Sequence, residues 1–388
     1  MSNTNKRIFL SPPFVGAAER AAVRGAFDSG YVAPCGPQVD EFERRLAKLA
    51  GRKYAVAVSS GTAAIDLLMA ELGVDETWTV VAPTLTFIAT VGPAFHRGAK
   101  LVFVDSDATG NIDVSLLEEA LESLRVKLGS SRVGATLNDS KSTLNDSKST
   151  LKDSKILVVG VDLYGNCCDY GAIAKLCRKF GAVFVTDAAE AVGATRDGRP
   201  AGSAGLAGVY SFNGNKIVTT SGGGAIVTDD RGLAERARKR AQQSREKCVW
   251  YEHREVGYNY RLSNILAAIG LAQLDRLPTI LKKRKANYDW YARYFKGDLL
   301  SPTPVANHWL TVAVLSSRCE RDNLLRRFEA AGIEARPVWK PLHLQPVFAK
   351  CRVFGGEVAK ALFERGVCLP SGTGLKSGDF ARIASCLP

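Results

Sequence analysis

Lys216 stands in the run SFNGNKIVTTSGGG, between one stretch that reads as a strand (208–212) and a second that reads as another (224–228). With Ser211 and Asn213 just ahead of it, this lysine has two readings, an exposed residue on a hairpin turn or a buried amine. Burial disfavours the ammonium form, and an unprotonated amine is what addition to an aldehyde requires. The following Gly222, Gly223 and Gly224 would let backbone approach a flat ligand closely. Asp187 is the second candidate, delivered in TDAAEAVGA at the end of an apolar run (182–186). Its carboxylate could hold a protonated ring nitrogen, or it could cap a helix formed by AAEAVGA.

Two further segments could serve the same chemistry. Ser60, Gly61 and Thr62 lie between a short strand (54–59) and an apolar helix (64–72). Small hydroxyl residues and a glycine there suit a phosphate, because helix amides and the helix dipole point at the anion. An ordinary N-cap uses the same residues. Phe87, in PTLTFIAT after the strand at 80–83, could stack on a planar ring or fill core.

The elements that must position these residues alternate. Helices are expected at 12–29, 38–50, 64–72, 114–128 and 170–180, with strands at 54–59, 80–83, 101–104, 156–163 and 182–186. That alternation predicts an α/β fold with a mostly parallel central sheet flanked by helices, in which ligands bind at the carboxyl ends of strands. Ser60, Phe87, Asp187 and Lys216 all fall at or after strand ends. Further helices are expected at 260–277 and 281–295, leading into a smaller C-terminal α+β domain. The domain division is residues 1–245, a large cofactor-binding domain, and residues 246–388, a small one.

Composition narrows the class. The chain has 388 residues, 46% of them hydrophobic and 23% charged, as in ordinary globular enzymes. No apolar run reaches membrane-spanning length and the start MSNTNKR lacks a signal-peptide core, which points to a cytoplasmic protein without membrane association. Nine cysteines and four histidines show no metal-ligand spacing and read as reduced thiols and isolated imidazoles. The net charge of +13 suits solvated helix faces or a small anionic substrate. Its densest runs, 231–247 and 281–285, carry no nucleic-acid-binding signature. Residues 136–155, TLNDSKSTLNDSKSTLKDSK, repeat a seven-residue unit whose sole apolar member is leucine. Such a stretch cannot bury a core and reads as a flexible, exposed insertion.

A lysine able to bond an aldehyde, with an aspartate upstream able to keep a pyridine nitrogen protonated, is the pairing that pyridoxal 5'-phosphate needs. The motifs SSGTAAIDLL, PTLTFIAT, VDLYGN, TDAAEAVGA, SFNGNK with SGGGAIVTDD, and GYNYRLSNILAAIGLAQLDRL, in this order along nearly the whole chain, resemble the DegT/DnrJ/EryC1/StrS sugar aminotransferases. The resemblance implies a fold-type I pyridoxal-phosphate enzyme acting on nucleotide-linked keto sugars. It implies Lys216 as the cofactor-bonding lysine and Asp187 as the ring-nitrogen partner. Glu190 falls near the ring hydroxyl, where the family often has glutamine or histidine, and Phe87 falls on the ring face. Gly61, Thr62 and Ser211 match phosphate-cradle positions. Asn259, in GYNYR, matches an asparagine that reaches the neighbouring subunit's phosphate, implying a homodimer with shared sites.

FLSPP, YVAPCG, SFNGNKIVTTSGGG, ARPVWKPLH and CLPSGT are similar to the bacterial aminotransferases of the bacillosamine pathway. That narrower resemblance implies transfer of an amino group from L-glutamate to C4 of a UDP-linked 2-acetamido-4-keto-6-deoxy sugar, for protein glycosylation. Lys216 would then serve as both covalent partner and general acid/base. Arg336 and His343 would lie near the substrate, where a basic residue could hold a carboxylate or a phosphate. A catalytically silent protein of the same fold, a dehydratase with histidine at the lysine position, and a nucleic-acid binder are the competing classes. Lys216 with Asp187 argues against the first two.

Overall fold

The computed structural model describes residues 6–130 and 155–388. The heptad insertion at 136–155 lies, but for Lys155, outside the described residues. An eight-stranded sheet forms the centre, in the order Tyr54–Val58, Gly224–Thr228, Ala207–Ser211, Val183–Asp187, Ile156–Val161, Thr79–Pro83, Lys100–Val104 and Arg352–Phe354. Gly224–Thr228 is antiparallel to both its neighbours, and the remaining pairs are parallel. The central strands are apolar on both faces, as a sheet covered by helices on both sides requires. One core layer packs Phe42, Leu46, Tyr210 and Phe212, and the other packs Ile65, Leu68, Val80 and Ile226.

A four-stranded antiparallel sheet follows, ordered Asp298–Leu299, Thr311–Val314, Gly366–Leu369 and Arg336–Pro337. Its core includes Tyr291, Phe328, Val367 and Ile383, and it also takes in Ile8 from the start of the chain. Ile8 forms a bridge with Ile333, and Arg352–Phe354 returns to the large sheet alongside Lys100–Val104. Each unit is thus completed by chain from the other end.

Two helices were expected at 260–277 and 281–295, but the structure has one, Asn264–Tyr294, running through Pro278. A proline inside a helix removes one hydrogen bond and costs about 3 kcal/mol. The helix survives because Leu274, Leu277, Ile280 and Arg284, on both sides of the proline, are buried. Its start moves from Tyr260 to Asn264, where the Ser263 hydroxyl accepts the Leu266 N–H at 3.3 Å.

The basic helix Arg231–Ala241 is laced to acids. Arg236 and Arg240 pair with Glu71, Arg238 with Glu43, and Lys239 with Glu246. Its charge is largely used within the fold.

Candidate active site

The carboxyl ends of the parallel strands and the amino end of Gly224–Thr228 open on one edge of the large sheet. A cavity of about 760 Å³ lies there, bounded by the chain start (Phe9 to Pro13), the strand-end loops and Trp309, Arg336 and Trp339 of the C-terminal half. It brings together Gly61, Thr62, Phe87, Asp187, Glu190, Ser211, Lys216 and Arg336. Asn259 and His343 are not among its walls.

Lys216 is placed by the turn between two strands whose register pairs Ser211 with Gly224. Its side chain is mostly buried, with Nζ 3.1 Å from Glu190 Oε1 and 4.0 Å from the centroid of the Trp309 ring. The exposed-turn reading of this lysine therefore does not hold. Glu190 Oε2 accepts the Tyr164 N–H at 2.8 Å. Tyr164 itself sits at φ 53°, a left-handed backbone that non-glycine residues rarely adopt. Burial pushes the Glu190 carboxyl up, and the adjacent Lys216 opposes that shift.

Asp187 closes the strand Val183–Asp187 and is buried. Its Oδ2 accepts the Thr90 hydroxyl at 2.7 Å and its Oδ1 the Ala189 N–H at 3.2 Å. No helix follows it, so the capping alternative falls away. Burial pushes this carboxyl up, while the Thr90 and Ala189 hydrogen bonds and the Lys216 charge hold it down. Among the described residues no Lys, Arg or His forms an ion pair with it, which leaves a buried acid suited to a cationic N–H from a ligand.

At Ser60, the N-cap and phosphate readings coexist. The Ser60 hydroxyl accepts the Ala63 N–H at 3.0 Å, and the helix Gly61–Leu72 that it starts turns Gly61 and Thr62 to the cavity. Glycine is required by proximity here. A Cβ on Gly61 would lie 2.9 Å from Ser211 Cβ, and one on Gly224 would lie 2.5 Å from the Gly61 nitrogen. The close packing sets a helix N-terminus beside a serine hydroxyl, a donor set that fits a phosphate.

Phe87 is 57% exposed, so it does not fill core; its ring lies 5.6 Å from that of Trp339 on the cavity wall. Arg336 reaches the cavity mouth while bonded to Glu334 at 2.9 Å. His343 instead supports the sheet edge: its Nδ1 is 2.6 Å from the Thr84 hydroxyl and its backbone N–H donates to the same oxygen at 3.2 Å. Asn259 lines a separate groove of about 1200 Å³ with Arg238, Arg245, Lys247 and Arg261.

Trp309, Trp339 and Tyr164 were missed by the sequence reading. Tyr164 and Trp339 rings lie 5.1 Å apart, and the Trp339 N–H donates to the Tyr164 hydroxyl at 3.2 Å. Nothing in local periodicity marks these residues, since long-range packing alone brings them together; Tyr164 fell within the quoted motif VDLYGN and Trp339 within ARPVWKPLH, while Trp309 lay in none.

The comparisons agree with this geometry. Residues 13–388 match the model of the DegT/DnrJ/EryC1/StrS aminotransferase family. EpsN of Bacillus subtilis, assigned as a pyridoxal phosphate-dependent aminotransferase, is 38% identical over 99% of this chain and 95% of its own. The GDP-perosamine synthase of Caulobacter vibrioides is 33% identical over 98% of this chain and 97% of its own. Among solved structures, Spr1654 of Streptococcus pneumoniae, assigned as a sugar aminotransferase and solved in its PLP form, superposes with a TM-score of 0.81. It is 26% identical over 99% of this chain and 100% of its own. A buried acid without a cationic partner, an amine at a strand-end turn and a helix N-terminus on one cavity fit the same cofactor. The chain belongs to the DegT/DnrJ/EryC1/StrS aminotransferase family and is a pyridoxal-phosphate-dependent sugar aminotransferase.

Proposed function

We propose that this enzyme transfers the amino group of L-glutamate to C4 of a UDP-linked 2-acetamido-4-keto-2,6-dideoxy hexose. The observation that carries the residue assignments is the convergence of Lys216 and Asp187 on one cavity. Pyridoxal phosphate, when bound, supplies an aldehyde for primary amines and a ring that withdraws electrons. Lys216 Nζ would be the amine that engages the aldehyde, and as a free amine it could take up and return a proton. Asp187 would hold the proton of the ring nitrogen. Thr90 and the Ala189 N–H keep that carboxylate aimed. Gly61, Thr62 and Ser211 would hold the phosphate, Phe87 would cover the ring, and Glu190 would serve the ring hydroxyl.

Arg336, at the cavity mouth, is the group for a substrate anion, and a competing partner is already present in Glu334. An incoming carboxylate or phosphate would exchange one ion pair for another at an exposed position, so discrimination there is modest. Asn259 completes the neighbouring subunit's phosphate site, and the enzyme works as a homodimer in the cytoplasm. His343 keeps its place in the proposal only through the Thr84 strand end that it supports.

A second reading is favoured by the Caulobacter relative, whose name specifies a GDP-linked sugar. Incubating the enzyme with glutamate and either the UDP-linked or a GDP-linked 4-keto-6-deoxy sugar, with products read by NMR, separates the two. An amine appearing at C4 of the UDP sugar alone supports the proposal; amination of the GDP sugar alone transfers the assignment to the second reading.

A further inference from the structure

Arg284 is a fully buried guanidinium in the middle of the helix Asn264–Tyr294. Among the described residues it has no carboxylate partner. Burying an arginine without an acid is costly, and an apolar side chain of similar volume would fill the space more cheaply. Its hydrogen bonds run toward the active site. Nη2 donates to the Ser11 hydroxyl at 2.9 Å, and that hydroxyl donates to the Asn215 carbonyl at 2.8 Å. Nη1 donates to the Trp309 carbonyl at 2.8 Å, and the Trp309 indole N–H donates to the same Asn215 carbonyl at 2.7 Å. The four residues close a ring of hydrogen bonds. Asn215 is covalently joined to Lys216, and the Trp309 ring lies 4.0 Å beneath Lys216 Nζ.

We propose that Arg284 is a positioning residue for Lys216: through Ser11 and Trp309 it fixes the carbonyl before the lysine and the aromatic face under its amine. This rests on the reading of Lys216 as the amine that reacts. The ring joins segments far apart in the chain, at positions 11, 215, 284 and 309, so none of them can set the geometry locally. A cation at its centre strengthens each hydrogen bond around it, because charged donors bind carbonyl and hydroxyl oxygens more tightly than neutral ones. The indole is thereby held with its face against Lys216 Nζ. Glu190 and Asp187 are the other charged groups facing Lys216, and neither bonds to Arg284. The third guanidinium bond, from Nε to the Thr373 hydroxyl at 3.1 Å, points away from this path and supplies a control.

The test labels the full-length, cofactor-free protein with limiting acetic anhydride at pH 8. Modification of Lys216 is counted by peptide mass mapping against the exposed Lys100 of the same molecule. Release of Nζ from the indole face is expected to raise the relative rate at Lys216 about three- to tenfold in Arg284→Met and in Ser11→Ala. Arg284→Lys should return it to within about twofold of the parent, because a cation is restored beside Ser11. Thr373→Val should lower Tm without moving the labelling, since it removes a bond outside the ring. If Arg284→Met does not fold, Ser11→Ala decides alone. Parental labelling in Ser11→Ala, or an equal rise in Thr373→Val, overturns the proposal. Borohydride mapping of the cofactor-loaded parent keeps the two claims apart: cofactor on another lysine defeats the reading of Lys216, whereas cofactor on Lys216 with unmoved labelling defeats only the role of Arg284.

Discussion

Lys216 Nζ lies 3.1 Å from Oε1 of Glu190, an ion pair in which both partners are largely withdrawn from water. Removing either partner strands the other, and a single buried charge is worse than the pair. Glu190→Gln keeps a hydrogen-bond acceptor for the Tyr164 N–H while discharging the pair. The variant is expected to bind the cofactor yet shift the pH dependence of its visible band, because the charge beside the cofactor has changed. A band that titrates as in the parent would place Glu190 away from the cofactor's ionising groups.

Close approach of backbone is the second testable feature. Gly224→Ala puts a methyl group 2.5 Å from the Gly61 nitrogen, against backbone that cannot rotate away. Overpacking of this kind costs about 1–3 kcal/mol and should push the start of helix Gly61–Leu72 out of place. Cofactor affinity, measured by equilibrium dialysis, should fall more than tenfold. Unchanged affinity would show that the phosphate is held elsewhere.

A pH signature should come from Asp162, which is fully buried against the Tyr170 hydroxyl at 2.6 Å and the Cys168 N–H at 3.0 Å. Burial raises its pKa from the ordinary 3.8 to about 7, despite those hydrogen bonds. The folded state therefore holds a proton that the unfolded state has lost between about pH 4 and pH 7. Its stabilising contribution is full below pH 4 and is lost as the pH rises through 7. Asp162→Asn removes this titration and leaves a pH-independent packing change. The unfolding free energy of the parent relative to the variant, measured by denaturant titration, should thus be higher at pH 5 than at pH 8, by an amount on the order of a few kcal/mol. A constant difference across that range would mean that Asp162 is ionised throughout.

What could be read before the structure was whatever local chemistry encodes. Lys216 and Asp187 were legible because each sits where a strand pattern stops, and the alternation of helix and strand fixes which edge of the sheet those stops share. Ser60 was legible as a cap for the same reason. Trp309 and Arg284 were not, because their meaning lies in contacts with residues 11 and 215 that no periodicity connects. The helix break expected between 277 and 281 is absent, since the local penalty of Pro278 is overridden by buried neighbours on both sides. His343 was carried by motif similarity alone, and the structure sets it under Thr84 rather than on the cavity.

Asn259 lines a groove apart from the Lys216 cavity, which gives the shared-site proposal a test. Lys216→Ala and Asn259→Ala proteins, each impaired, are mixed under conditions of verified subunit exchange. Heterodimers then contain one site with both residues intact, and activity should rise above the average of the parents. Activity that stays at that average would assign Asn259 to its own chain's site.

The central claim is that Lys216 is the amine that engages the cofactor. Reducing the cofactor-loaded enzyme with borohydride, digesting it and mapping the modified peptide by mass spectrometry tests that claim directly. The account expects the cofactor's mass on Lys216, with Lys216→Ala giving no stable adduct and a hundred- to ten-thousandfold loss of turnover. An adduct on any other lysine, or full turnover in Lys216→Ala, would contradict it.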